Sequence, residues 1–163
     1  MTKHQELSIE PATPDDVPLI LAMIRELAEY EKLCREVRAT EADLRRTLFG
    51  ERAYAEVLIA RCDGADVGFA LFFHNYSTFL GAPGLYLEDL FVRPKWRGRG
   101  FGRAVLSHLA RLARERGCGR MEWWVLDWNE SAIRFYESLG AEAMSDWTVY
   151  RLTHEKLAAV ARG

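Results

Sequence analysis

The sequence predicts an α/β fold in a single domain, and three observations carry that expectation. Segments of strand pattern and helix pattern alternate along the chain. A strand-like run from Leu85 to Val92 leads into a glycine-rich corner, Arg97-Gly98-Arg99-Gly100-Phe101-Gly102, and then into a helix-like run from Ala104 to Arg116. With 163 residues, 49% hydrophobic and 28% charged, the chain suits one core of ordinary globular composition.

Taken in order, Ser8-Ile9-Glu10 reads as a short first strand. Thr13-Pro14-Asp15-Asp16 is a helix start, with Thr as N-cap, Pro at the first helical position and acids in the first turn. Val17, Ile20, Leu21, Ile24, Leu27 and Ala28 then recur at helical spacing. Thr40 and Asp43 open a second helix that runs to about Phe49. Glu56 to Cys62 and Val67 to His74 read as strands joined by the hairpin-type turn Asp63-Gly64-Ala65-Asp66. Asn75 to Gly84 is predicted as a loop and Leu85 to Val92 as the central strand. Val105, Leu106, Leu109, Leu112 and Ala113 give the next helix an apolar stripe that ends at Gly117. A tryptophan-rich strand is predicted over Arg120 to Leu126, a helix over Ser131 to Leu139, a last strand over Asp146 to Leu152, and a terminal helix from Thr153 to Ala161.

Composition excludes several classes of function. The formal net charge of −2 offers no strong attraction to nucleic acid or to a membrane surface. Cys34, Cys62 and Cys118 form no CxxC pair, and His4, His74, His108 and His154 lack metal-ligand spacing. No metal is therefore expected. Met1 to Glu6 is polar and carries no signal-peptide segment, and no apolar run approaches the ~20 residues of a membrane span. The expectation is a cytoplasmic protein.

The glycine corner is the most informative motif. Glycines at alternate positions let the backbone turn sharply and approach a ligand without a Cβ in the way. The free N–H groups of the following helical turn favour an anion, and Arg97, Arg99 and Arg103 add positive charge. Together these suit a pyrophosphate. A P-loop is excluded, because no Gly-Lys pair occurs. The dinucleotide fingerprint is excluded too, because Arg103 stands where its third glycine belongs.

Two adjacent acids, Glu88 and Asp89, interrupt the apolar central strand. Successive strand residues face opposite sides, so one acid must face the more buried side or an open cleft. Structural pairing of both acids, or an irregular solvated position, is the favoured reading of the pair alone. Asn129 lies between a strand and a helix, where it can satisfy an orphan backbone group or bind an amide-bearing ligand. Tyr136, beside Phe135, reads by itself as an ordinary helix aromatic.

In combination these segments resemble a known family. Strand, Arg-x-x-Gly-x-Gly and helix, then a strand ending in Asn and a helix with Phe-Tyr and Gly-Ala, are similar in order to the core of the GCN5-related N-acetyltransferases. Glu26-Leu27-Ala28-Glu29-Tyr30-Glu31, Leu85 to Val92 and Trp128-Asn129-Glu130 resemble the spermidine/spermine (diamine) branch more narrowly. The likeness runs from Ile9 to Ala161 and marks one domain over residues 7–161. It implies a mixed central sheet flanked by helices, with a splayed central strand pair that holds acetyl-CoA, and a homodimer.

The resemblance also implies roles. Leu90, Phe91 and Val92 would bind the pantetheine arm through their backbone. Arg97, Gly98, Arg99, Gly100, Phe101, Gly102 and Arg103 would cradle the pyrophosphate, and Asn129, Glu130, Ser131 and Ala132 would flank the thioester end. Tyr136 would be the general acid for the departing thiolate. Glu88 would help deprotonate the substrate amine. Tyr30, Glu31, Glu88, Asp89 and Glu122 would line the amine pocket. The chemistry fits these residue types: an alkylammonium, with a pKa near ~10.4, must lose a proton before it attacks, and a carboxylate both attracts it and offers a proton route. The chain departs from the diamine enzymes in three places. The Asp63 to Asp66 turn replaces a longer insertion, Glu122 stands where His is expected, and Asn129-Glu130-Ser131-Ala132 replaces Asn-Glu-Pro-Ser. A small primary amine is the expected substrate, a polyamine or diamine first and a thialysine- or lysine-like amino acid second. Peptide acetylation and a coenzyme A-binding regulatory module are the remaining alternatives.

Overall fold

The computed structural model describes residues 6–163. All but the last residue of the polar stretch Met1 to Glu6 falls outside that range. Contacts divide the chain into two units, one ending at Trp124 and the other beginning at Val125.

The first unit is built on a five-stranded mixed sheet in the order β1-β2-β3-β4-β5. Its strands are β1 (Leu7–Pro11), β2 (Glu56–Cys62), β3 (Ala65–Ser77), β4 (Ala82–Val92) and β5 (Arg120–Trp123), and its helices are α1 (Val17–Tyr30), α2 (Glu41–Phe49) and α3 (Phe101–Glu115). The first four strands pair antiparallel and β5 joins β4 in parallel.

Local chemistry explains the helix starts. Thr13 N–H donates to Asp16 Oδ2 at 2.8 Å, closing a short 3₁₀ turn ahead of α1. Thr40 and Asp43 cap α2 reciprocally: Asp43 N–H donates to Thr40 Oγ1 at 3.2 Å, and Thr40 N–H donates to Asp43 Oδ2 at 3.1 Å. The apolar stripe of α1 then packs with Leu44 and Leu48 of α2 on one sheet face, against Val57, Ile59, Phe69 and Phe91. Fully burying one such side chain contributes about 1.5–3 kcal/mol. The alternate strand residues Leu58, Ala60, Ala70, Phe72, Leu85 and Leu87 are also buried and belong to the other face, which the buried stripe of α3 covers.

Some sequence expectations shift. The predicted loop from Asn75 to Gly84 is largely strand, because Asn75, Tyr76 and Ser77 pair with Gly84, Pro83 and Ala82, and the turn is only 78–81. A tight turn at Asp63 and Gly64, both at positive φ, joins β2 to β3. The glycine corner ends earlier than expected, since α3 begins at Phe101 rather than Ala104. Between Leu71 and Phe72 the ladder slips: Leu71 pairs with Asp89 and Phe72 with Leu87, so Glu88 is the extra residue of a β-bulge.

The second unit contains α4 (Glu130–Glu137) and α5 (His154–Ala161). The strand predicted over Asp146 to Leu152 is absent. Strand preference becomes a strand only where a ladder partner takes the backbone groups, and residues 146–152 form no ladder among the described residues. Trp147 and Tyr150 are exposed there.

Candidate active site

The end of β4 has one open edge. Its pairing with β5 stops at Leu87 and Trp123, whereas β4 itself continues to Val92. Arg93 N–H donates to Val67 O at 2.9 Å, which fixes the alternation of the backbone. Asp89 and Phe91 therefore turn their peptide groups toward β3, and Leu90 and Val92 turn theirs to the open side. A cofactor arm with amide groups can pair with Leu90 and Val92 there as an added strand would. Phe91, which the sequence grouped with them, instead buries its ring in the core.

Beyond this edge stands the glycine corner. Gly98 and Gly100 both have positive φ, and no heavy atom lies within 4 Å of the Cβ position at either. Gly100 is the N-cap of α3 at φ 83°, a left-handed conformation that any side chain would strain. No N-cap side chain bonds the first turn of α3, at Phe101, Gly102 and Arg103, whose N–H groups lie at the positive end of a helix of 15 residues. These features fit a diphosphate. The basic residues differ in their engagement. Arg97 folds back, its Nε donating to Val92 O at 2.8 Å and its guanidinium stacking over Tyr30 at 4.3 Å. Arg99 lies over Trp96 at 5.0 Å, and Arg103 is exposed on α3. Arg93 is an anchor, binding Glu26 of α1 through two bonds of 2.9 and 2.7 Å.

The face of β4 that carries α1 gathers carboxylates. The bulge leaves Glu88 exposed and half-buries Asp89. Burial, then the charges of Glu88 and Glu31, push the Asp89 carboxyl up to about 7. Glu31 caps the C-terminal end of α1 next to Tyr30, and burial raises its pKa as well. Glu122 joins from β5, where it is the register partner of Tyr86. Tyr86 packs 5.0 Å from Phe73 and 6.0 Å from Trp124, and its phenol is pushed up to about 12 by burial, then by Glu88 and Glu122. The charges of Glu88 and Glu31 disfavour the ionisation of Asp89, and a cationic guest would lower that repulsion.

Sequence reasoning missed Asn75, Tyr86, Arg120 and Trp124 in this group. Asn75 falls in a stretch whose residue types read as a loop, and cross-strand neighbours have no signature along the chain. Tyr86 alone carried a hint, standing two residues before Glu88.

In the second unit, Asn129 is the N-cap of α4, its Oδ1 accepting from Ala132 N–H at 3.3 Å. Ser131 lies exposed in the first turn and Tyr136 is half-buried one turn further on, its ring 5.4 Å from that of Phe135. Asn129, Ala132 and Tyr136 fall at intervals of three and four residues, so they share one side of α4. Among the described residues no group of three or more His, Cys, Asp or Glu could hold a metal ion, and no helix is long and apolar enough to cross a membrane.

The sequence pattern of the Acetyltransferase (GNAT) family matches residues 22–141. The chain belongs to that family. It is a GNAT-type N-acetyltransferase, and the family uses acetyl-CoA as its acetyl donor. It is 34% identical to an L-ornithine N5-acetyltransferase of Arabidopsis thaliana, over 98% of this chain and 90% of the relative. Identity to a thialysine N-epsilon-acetyltransferase of Bos taurus is 37%, over 94% and 96%. A spermidine/spermine N(1)-acetyltransferase-like protein of Homo sapiens is 33% identical over 96% of this chain, which spans 24% of that protein. These relatives match the spermidine/spermine-like branch of the family that the sequence suggested. Among solved structures, an integron cassette protein from the V. cholerae mobile metagenome shares the fold with a TM-score of 0.81 and 26% identity, covering 96% of this chain and 98% of that one.

Proposed function

We propose that this N-acetyltransferase acetylates a primary amine of a small aliphatic cation by direct transfer within a ternary complex. The observation that carries the reading is the convergence of Glu31, Glu88 and Asp89 beside the open edge of β4. In this reading Leu90 and Val92 pair with the cofactor arm, and Gly98 to Arg103 hold its diphosphate. Asn129, Ser131 and Ala132 flank the reacting end.

Acetyl-CoA supplies an activated thioester carbonyl when bound. Asp89 and Glu88 hold the substrate ammonium by charge, and Glu88 takes its proton, directly or through water, so that the nitrogen lone pair can attack. As the carbon–sulfur bond breaks, the Tyr136 hydroxyl would give its proton to the departing sulfur, whose thiol form has a pKa near ~8.5, and the surplus proton on the newly acylated nitrogen would pass to water or back to the Tyr136 oxygen. Tyr30, Glu31 and Glu122 line the amine pocket. Holding the two reactants together supplies much of the remaining rate advantage.

Two substrate classes fit a carboxylate-lined pocket: basic amino acids and polyamines. The relatives matched over most of both lengths are named for ornithine and thialysine, which favours a basic amino acid. The proposal includes one catalytic domain over residues 7–161, a cytoplasmic location and a homodimer, with no nucleic acid or membrane partner. An acetyl-CoA consumption assay across ornithine, thialysine, lysine, diamines, polyamines and short peptides tests it. Turnover on free amines and none on peptides is expected. Turnover on peptides alone, or on nothing, rejects it.

A further inference from the structure

We propose that Arg120 and Glu122 form a zwitterion clamp that selects a basic α-amino acid: Arg120 takes the α-carboxylate and Glu122 the α-ammonium, while the ω-amine reaches Glu88 and Asp89. The inference rests on the N-acetyltransferase reading above and goes past it by naming the residues that choose the substrate class.

The pair is set on the same sheet face as the carboxylate group. Arg120 is the register partner of Gly84 and Glu122 that of Tyr86. Arg120 Nε lies 3.1 Å from Glu122 Oε2, and Asn75 Nδ2 donates to the same oxygen at 3.0 Å. Both contacts converge on Oε2. The second oxygen of Glu122 and the two Nη groups of Arg120 are therefore not the atoms those contacts use. The two side chains keep 41% and 35% of their surface exposed, so a ligand can reach both.

The pair is also oriented. A Cβ at position 84 would collide with Asn75 Oδ1 and would come within 3.5 Å of Arg120 Cγ, so the glycine makes room for both side chains. Asn75 Oδ1 is buried and has no hydrogen-bond partner. The amide is thus oriented by its donation to Glu122 Oε2, which holds that carboxylate in place.

The spacing suits a short aliphatic spacer. Glu88 stands two residues beyond Tyr86 on β4, about 7 Å along an extended strand. The α-carbon and δ-nitrogen of ornithine are roughly 5 Å apart by ordinary covalent dimensions, and a lysine-like side chain adds one bond. Hydrogen bonds at both ends close the difference. Charge decides between the two substrate classes. A purely cationic polyamine would bring like charge against Arg120, whereas an α-carboxylate answers it. Tyr86 is the register partner of Glu122 and stands two residues before Glu88 on β4.

The test compares three acceptors at saturating acetyl-CoA. Ornithine carries both head groups, 1,4-diaminobutane lacks the carboxylate, and 5-aminopentanoate lacks the α-ammonium. The wild-type enzyme should show higher kcat/KM for ornithine than for either analogue. R120Q should lower the ornithine-to-diaminobutane ratio of kcat/KM by about 10- to 100-fold, as expected for loss of a hydrogen bond between charged groups. R120K should give an intermediate ratio. E122Q should lower the ornithine-to-aminopentanoate ratio instead. A wild-type preference for 1,4-diaminobutane, or ratios that neither substitution changes in enzymes with unaltered thermal melts, overturns the clamp and leaves the N-acetyltransferase reading standing. Absence of acetyl transfer to any amine overturns that reading and the clamp with it.

Discussion

Asp89 is a carboxyl whose charge depends on pH near neutrality. Its value rises from 3.8 to about 7 in the fold, chiefly through burial and then through Glu88 and Glu31. A raised acid favours the folded state while protonated. That contribution is present below about pH 4 and is lost as pH climbs through 7. D89N should therefore raise the melting temperature relative to wild type by more at pH 8 than at pH 5, measured by differential scanning fluorimetry. A difference independent of pH would mean that Asp89 ionises normally. For amine binding the sign is opposite, since the ionised form attracts the cation, and affinity should improve as pH rises past 7 until the amine itself deprotonates. Tyr136 gives a separate prediction. Y136F should lower kcat by at least about 100-fold, the usual contribution of a positioned proton donor, with little change in the calorimetric affinity for coenzyme A. An undiminished kcat would remove Tyr136 from the mechanism. Both residues stood out along the chain, Asp89 as a charge in an apolar strand and Tyr136 through family likeness. Asn75 and Arg120 did not, because their relation to Glu122 exists only across strands.

The element that matters most is the turn into α3. Gly100 holds φ 83° at the N-cap, where an L-residue is strained by roughly 1–2 kcal/mol. G100A should bind coenzyme A more weakly in calorimetry and melt a few degrees lower, both from the same distorted corner. Unchanged affinity would show that this backbone does not grip the diphosphate. The corner was legible because its glycines are themselves the signal. Helix starts were legible for a similar reason, since Thr40 and Asp43 meet within one turn. The long hairpin of β3 and β4 was not. Asn75, Gly84 and Pro83 are turn-forming types, and only the ladder between the two strands draws them into the sheet.

At the scale of the molecule, the sequence conveyed the order of the elements as far as α4. It misjudged residues 146–152, where strand-forming side chains remain outside any ladder among the described residues. Exposed Trp147 and Tyr150 in that stretch are the surface expected to meet a second copy of the chain. Light scattering should report twice the mass of 18.7 kDa, and Trp147→Asp with Tyr150→Asp should shift it toward one chain. A wild-type protein of single-chain mass at micromolar concentration would reject the dimer. The slip at Glu88 has a wider meaning for how such a strand can change over time. Up to Leu87 the odd-numbered residues point to α3, and from Leu90 onward the even-numbered ones do. One residue thus inverts the parity of the strand halfway along. Excising it would restore a regular ladder in which Asp89 follows Leu87 on the opposite face, so that Asp89, Leu90 and Val92 would keep the sides they now occupy. The spare residue is therefore absorbed locally: the bulge lets β4 carry one residue more than its partner strand without turning any later side chain over.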